Sequence, residues 1–354
     1  MKRLGICLLN ISEGRNPKVV EAVARAAVST AQEVTVSDAE IGLQCKSTVL
    51  NVFSDYDYNR SVLTIAAPLK YLQDSIYNAC REAYGQIDLG KQRGVHPRLG
   101  AVDLLPIYPL SRDVRVEECG VIAKEIASTL AVDIPGTSFF LFGTSDVPHN
   151  RDLVARRKEV GWFLGRHHTD YGSLQYDLGS RPSAKYGLTG AGGSLYVTNY
   201  NVSLATSDVS IGHEIAQRIR STTPGGLPGV RVMAFAHEGN VEIACNVENI
   251  PMDAAEDTPC SEPTESQTST TKTHQTDCSA LPSDAPQDTY RQIRYTSPAE
   301  IEARVKDLAS EHDVGLVGTS IIGFTPHEAE ELAIHALQTG QTELWRTRVP
   351  GTTM

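Results

Sequence analysis

Short apolar runs alternate with amphipathic stretches through most of this chain. Arg3 to Leu9 is an apolar run that closes on the polar turn Asn10-Ile11-Ser12-Glu13, which predicts a buried first strand. After Pro17, the residues Val19, Val20, Val23, Ala26 and Ala27 recur at helical spacing, and Pro17 stands in the first turn, where a missing N–H is tolerated. Val49 to Phe53 and Ser61 to Ala66 read as strands separated by Ser54 to Asn59. Pro68 opens a second helix through Tyr84, with Leu72, Ile76 and Cys80 on one stripe. A loop rich in glycine and basic residues, Gly85 to Gly100, then leads into the strand Ala101 to Tyr108. The order is βαββαβ, the split-βαβ or ferredoxin-like pattern.

A helix near Val116 to Leu130, a strand Ser138 to Phe142 and a helix from about Asp152 to Leu164 follow. His167 to Gly193 is a polar stretch with six glycines and no sustained period. The element order then repeats. Leu195 to Val202 reads as a strand, Ser207 to Arg220 as a helix and Val230 to Ala236 as a strand. His237-Glu238-Gly239-Asn240 makes a hairpin turn into Val241 to Val247. A helix (Pro298 to His312), a strand (Val314 to Gly318) and a helix begun at Thr325-Pro326 complete the second set. The expectation is an α/β (α+β) protein of two ferredoxin-like subdomains, residues 1–194 and 195–345. It rests on element order alone, because the two halves share no visible identity.

Residues 251–289 break the second set. Between Pro251 and Tyr290 there are eight acidic residues against Lys272 alone, in a segment rich in Ser, Thr and Pro. So few apolar side chains cannot offset the entropy of ordering, and the segment reads as a disordered surface insertion. It also carries most of the formal net charge of −11, leaving about −4 for the remainder. No basic surplus exists for nucleic acid to exploit. No apolar run reaches the ~20 residues of a membrane helix, and the N-terminal run is too short for a signal peptide. Seven scattered cysteines without a Cys-x-x-Cys pair argue against a disulfide framework or structural zinc. A cytoplasmic protein is expected.

Four polar segments could carry chemistry. Lys91-Gln-Arg-Gly-Val-His96-Pro97-Arg98-Leu-Gly100 offers an imidazole suited to proton transfer, with Arg93 and Arg98 able to orient a carboxylate. A His-Pro turn whose ring bonds a backbone carbonyl fits the same residues. Asn10 to Asn16 lies between the first strand and helix, where α/β folds place ligands, or serves only to cap that helix. Asp55-Tyr-Asp57-Tyr58-Asn59-Arg60-Ser61 is a site or a solvated hairpin turn. Gly187-Leu-Thr-Gly190-Ala-Gly192-Gly193-Ser194 lacks the third glycine of a dinucleotide fingerprint and precedes a strand, although glycines let backbone amides approach a ligand. His167-His168-Thr-Asp170 has no further ligand set around it, and no metal is expected.

Several of these segments resemble the formiminotransferase domain of formimidoyltransferase-cyclodeaminase. The likeness lies in Asn10-Ile-Ser-Glu-Gly-Arg-Asn16, Gly94-Val-His-Pro-Arg-Leu-Gly-Ala-Val-Asp103 and Val317-Gly-Thr-Ser-Ile-Ile-Gly-Phe-Thr-Pro326. The chain is more similar still to the stand-alone formiminotransferase N-terminal subdomain-containing proteins, through Phe53-Ser-Asp, Arg60-Ser-Val, Ala101 to Leu110 and Gly187 to Gly193. The resemblance implies transfer of a formimino group from N-formimino-L-glutamate to N5 of tetrahydrofolate, a co-substrate. It also implies two related α/β subdomains with a folate tunnel between them, and a homodimer. The family's catalytic His falls on His96, where one imidazole accepts the amine proton and returns it to the departing glutamate nitrogen. Substrate and folate contacts are expected from Asn10, Ser12, Glu13, Asn59, Arg60 and Arg98 in the motif turns. Further contacts are expected from Gly179, Lys185, Tyr186, Gly187, Gly190 and Gly192, with Tyr186 stacking on the pterin.

Two departures from the family pattern stand out. The His-Lys-Gly-Glu that typically precedes His-Pro-Arg is here Gln92-Arg93-Gly94-Val95, and a Gly-Ala-Arg becomes Gly192-Gly193-Ser194. Two readings follow: a glutamate formimidoyltransferase-like enzyme, or a non-catalytic folate-binding or interaction protein on the same scaffold.

Overall fold

The computed structural model describes residues 3–31, 34–37, 42–94, 96–162, 171–251 and 293–347. The acidic insertion beyond Pro251, Val95 and the His167-His168 pair lie outside the described residues.

Two sheets organise the chain. The first has seven strands in the order β2-β3-β1-β4-β7-β5-β6, and the second has four in the order β13-β8-β10-β9. In the first are β1 (Leu4–Ile11), β2 (Thr48–Asp55), β3 (Arg60–Pro68), β4 (Val102–Pro109), β5 (Ser138–Gly143), β6 (Leu178–Gly179) and β7 (Thr189–Gly193). The second holds β8 (Val197–Leu204), β9 (Val230–His237), β10 (Asn240–Glu248) and β13 (Leu316–Ile322). Two short strands, β11 (Ile250–Pro251) and β12 (Ile293–Arg294), pair antiparallel, so the insertion leaves and returns at one place.

The helices in chain order are α1 (Pro17–Ala27), α2 (Leu69–Gln86), α3 (Val116–Asp133), α4 (Leu153–Glu159), α5 (Val209–Ile219), α6 (Pro298–Ser310) and α7 (Pro326–Thr339). Their ends follow local chemistry. Asn16 caps α1 ahead of Pro17, and Ser297 with Glu300 and Thr325 with Glu328 form capping boxes on α6 and α7. Gly340, with φ of 71°, closes α7 in the left-handed conformation.

Strand period 2 decides which side chains meet. On β1, Cys7, Leu9 and Ile11 pack into the core under α1, α2 and α3, while Leu4, Ile6 and Leu8 point the other way. That second face is covered at one end by α7, through Ala329, Ala333, Ala336 and Leu337. The last helix of the chain therefore packs on the first sheet. The second sheet is two-faced as well: Val202, Leu204, Ile243 and Val232 join α5 and α6 in an apolar core. Its opposite face carries Asn199, Asn201, Asn246 and Glu242 and is turned to the first sheet across a cavity.

The glycine-rich segment is a correction to the sequence reading. Thr189–Gly193 is no loop before a strand; it is β7, buried throughout and parallel to both β4 and β5 in the middle of the seven-stranded sheet. Five residues with three glycines give no propensity signal for a strand. Packing supplies the reason. A Cβ on Gly190 would lie 2.6 Å from the Phe140 ring, and one on Gly193 would lie 2.4 Å from the Gly120 backbone nitrogen of α3. The α4 helix is also shorter than expected, ending at Glu159. The predicted strand Val314 to Gly318 runs instead from Leu316 to Ile322.

Candidate active site

The cavity between the sheets encloses about 790 Å3, within the usual range for small-molecule sites. The first sheet contributes Asn10, Asp55 and Arg60, its loops contribute Tyr58 and His96, and α4 contributes Arg157. The second sheet closes it with the polar face of β8 and β10 and with Met233 and Phe235 of β9.

His96 sits beside Tyr58, Phe235 and Trp162, with ring centres 5.1, 5.9 and 5.8 Å away. Its Nδ1 lies 2.7 Å from the Pro97 carbonyl oxygen. A carbonyl only accepts, so Nδ1 carries the proton and Nε2 presents the lone pair. Arg60 Nη1 lies against the ring, 3.0 Å from Nε2 and 3.1 Å from Nδ1. Burial, reinforced by the positive charge of Arg60 and then of Arg157 and Arg98, pushes the imidazole pKa well below its usual range. At neutral pH the ring is therefore an uncharged base that releases any proton it takes.

Arg60 is held by Asn10, whose Oδ1 accepts from its Nε at 3.0 Å and also from Nη2. Asn10, Arg60 and His96 thus come together on the cavity wall. Asn59 stands one layer behind them. With φ of 49° it turns the β2–β3 hairpin, accepts from Gly14 N–H at 2.9 Å and donates to the Gln92 Oε1 and the Arg93 carbonyl. Glu13 accepts from the N–H groups of Arg15 and Asn16 and, through its other oxygen, from Gln92 Nε2 at 2.9 Å. Ser12 donates to the Gly100 carbonyl at 2.7 Å. Arg98 donates to the Tyr58 and Asn59 carbonyls at 2.6 and 3.0 Å. Ser12, Glu13, Asn59 and Arg98 therefore fasten the His96 loop to the neighbouring turns. Gln92 is part of that fastening, which gives the first departure from the family pattern a structural role.

The glycine-rich group lies elsewhere. Tyr186 packs edge-on against Tyr84, centres 5.4 Å apart, on the helix-covered side of the first sheet. The Lys185 ammonium lies 4.7 Å from the centre of the Tyr186 ring. Gly179 pairs with Ser138 at the sheet edge, Gly187 bridges to Gly100, and Gly190 and Gly192 are inside β7. None of these six lines the cavity.

Sequence reasoning named the second hairpin but gave it no part in the site. Glu238 and Gly239, with φ of 48° and 79°, form its turn and bring His237 and Glu242 to the β2–β3 tip. Tyr58 donates its hydroxyl hydrogen to Glu242 Oε1 at 2.8 Å, and His237 Nε2 lies 2.9 Å from Asp55 Oδ2. Burial, with Glu242 and Asp55 close by, raises the Tyr58 pKa, so its hydroxyl stays protonated. The available signal was the alternation in Thr198-Asn199-Tyr200-Asn201 and Val241-Glu242-Ile243-Ala244-Cys245-Asn246, which puts polar groups on one face of each strand.

Comparison with known proteins agrees with the motif turns. Residues 4–194 match the family described as formiminotransferase domain, N-terminal subdomain. Glutamate formimidoyltransferase of Streptococcus pyogenes serotype M1 is 31% identical over 234 residues, covering 64% of this chain and 70% of that protein. The enzyme of the same name from Thermoplasma acidophilum is 29% identical over 247 residues, 69% of this chain and 76% of its own length. The formiminotransferase cyclodeaminase-like protein of Arabidopsis thaliana is 29% identical over 265 residues, 70% of this chain and 82% of that one. With its motif histidine set in the wall of the inter-sheet cavity, the chain belongs to the formiminotransferase domain family.

Proposed function

We propose that the protein is a formiminotransferase-like enzyme that moves the formimino group of N-formimino-L-glutamate to N5 of tetrahydrofolate, with His96 as general acid and base. The observation that carries the reading is His96 itself: neutral, tautomerically set by Pro97, and turned to the cavity. The folate supplies the nucleophilic N5 amine. Aromatic faces from Tyr58, Phe235 and Trp162 suit a flat ring system, and the carboxamides of Asn199, Asn201 and Asn246 can donate to or accept from polar edges. Nε2 of His96 takes the proton that the amine loses as the new C–N bond forms. The same nitrogen returns it to the glutamate nitrogen as the old C–N bond breaks. A neighbouring guanidinium helps the second step, because it makes the imidazolium a stronger acid.

A second reading, a folate-binding or interaction protein without turnover, is favoured by one contact. The Arg60 guanidinium lies 3.0 and 3.1 Å from the two ring nitrogens and opposes the charge that His96 gains when it takes a proton. The deciding assay follows 5-formiminotetrahydrofolate formation by the wild type and by His96→Ala. Turnover that falls about 10²–10⁴-fold in the variant supports the enzyme. Tetrahydrofolate binding without turnover in the wild type supports the second reading.

A further inference from the structure

Arg157 stands apart from the other cations of the cavity. It is 9% exposed, lines the cavity from α4, and its guanidinium lies 4.3 Å from the centre of the Trp162 ring. Its Nε is buried with no hydrogen-bond partner, and among the described residues no carboxylate is within ion-pair distance of it. Its neighbours are differently placed. Arg156 pairs with Glu159 and Asp177 at 2.6 and 2.5 Å, and Arg231 with Asp152 and Glu248 at 3.0 and 2.8 Å.

The charge balance around His96 is one-sided. Arg60, Arg98 and Arg157 all feel the buried carboxylate of Asp103, which is 4% exposed. Asp55 and Glu242, also on the cavity wall, are engaged by His237 and Tyr58. Burial pulls Arg157 down to about 10, still charged at neutral pH. An uncompensated buried guanidinium is unfavourable in the free protein, and a ligand anion relieves it. The planar fork suits a carboxylate held by two N–H groups.

We propose that Arg157 is the carboxylate anchor of this cavity, holding a carboxylate of bound substrate beside His96. The inference rests on reading the cavity as the transferase site, where a carboxylate comes from either the amino-acid donor or the glutamate tail of folate. Anchoring has a further effect. The bound negative charge offsets Arg157 and Arg60 and makes His96 more basic when substrate is in place.

The test is calorimetric titration of the full chain as wild type, Arg157→Met and Arg157→Lys. Three probes are used: L-glutamate, tetrahydrofolate, and 6-methyltetrahydropterin, which keeps the reduced pterin and carries no carboxylate. Arg157→Met is expected to weaken at least one carboxylate probe by about 10–100-fold, as for a lost hydrogen bond to a charged group. 6-Methyltetrahydropterin affinity stays within about twofold, and Arg157→Lys restores only part of the carboxylate affinity, because it keeps the charge and loses the planar fork. Loss confined to L-glutamate assigns the anchor to the donor; loss confined to tetrahydrofolate assigns it to the tail. Both carboxylate probes binding Arg157→Met as they bind the wild type overturns the anchor. So does a wild type with no affinity for either, or an equal loss of 6-methyltetrahydropterin in both variants, which marks a packing role. Arg157-dependent glutamate binding in a wild type without formimino transfer overturns the transferase reading alone. Transfer by Arg157→Met with an unchanged KM for both substrates overturns the anchor alone.

Discussion

Tyr58→Phe isolates one bond between the two sheets. The hydroxyl of Tyr58 reaches from the β2–β3 hairpin to Glu242 of β10 at 2.8 Å. Phenylalanine keeps the ring against His96 at 5.1 Å and His237 at 4.7 Å, so only the hydroxyl is lost. Glu242 is 7% exposed and loses its donor inside the cavity wall. A hydrogen bond to a charged group contributes roughly 1.5–3 kcal/mol. The free energy of urea unfolding is therefore expected to fall by about 2 kcal/mol. Tyr58 stays protonated, so the loss does not arise from its ionisation. A double-mutant cycle with Glu242→Ala separates the pair from the separate cost of each change, with an expected coupling of about 1–2 kcal/mol. Coupling below about 0.3 kcal/mol would refute the argument: the hydroxyl and the carboxylate would then not be joined across the cavity in solution.

Further outcomes follow from the same geometry. Arg60→Met removes the closest positive charge on His96 and raises its pKa, so the acid limb of the kcat/KM profile moves to higher pH; an unmoved limb counts against the contact. His96, with a folded pKa below the unfolded value of 6.5, contributes stability above that pH and loses it as pH falls through the folded value. His96→Gln should flatten that part of the stability–pH curve, and an unchanged slope there would show that other groups set it. Gly193→Ala drives a Cβ to 2.4 Å from Gly120 N and 2.7 Å from Gly120 Cα. Overpacking of that kind costs about 1–3 kcal/mol, and a thermal unfolding temperature equal to wild type would discredit the close β7–α3 approach.

Reading the chain alone suffices for the local elements and for half of the site. Apolar period and capping residues, which act over a few positions, locate α1, α6 and α7 and the buried first strand. The motif turns name Asn10, Arg60 and His96 because loops after strands and helix entries converge at one sheet end. Tertiary structure alone decides the rest. The three glycines of β7 are a strand because Phe140, Leu104, Phe142 and Gly120 leave no room for side chains, a fact distributed over three distant elements. Tyr186 sits with Tyr84 on the other face of the sheet, a matter of face that spacing to a motif does not settle. Tyr58, Glu242 and Arg157 are polar residues in ordinary hairpins and a short helix. They belong to the site because the polar face of the second sheet is laid against the first, which brings residues 58 and 242 within hydrogen-bond reach.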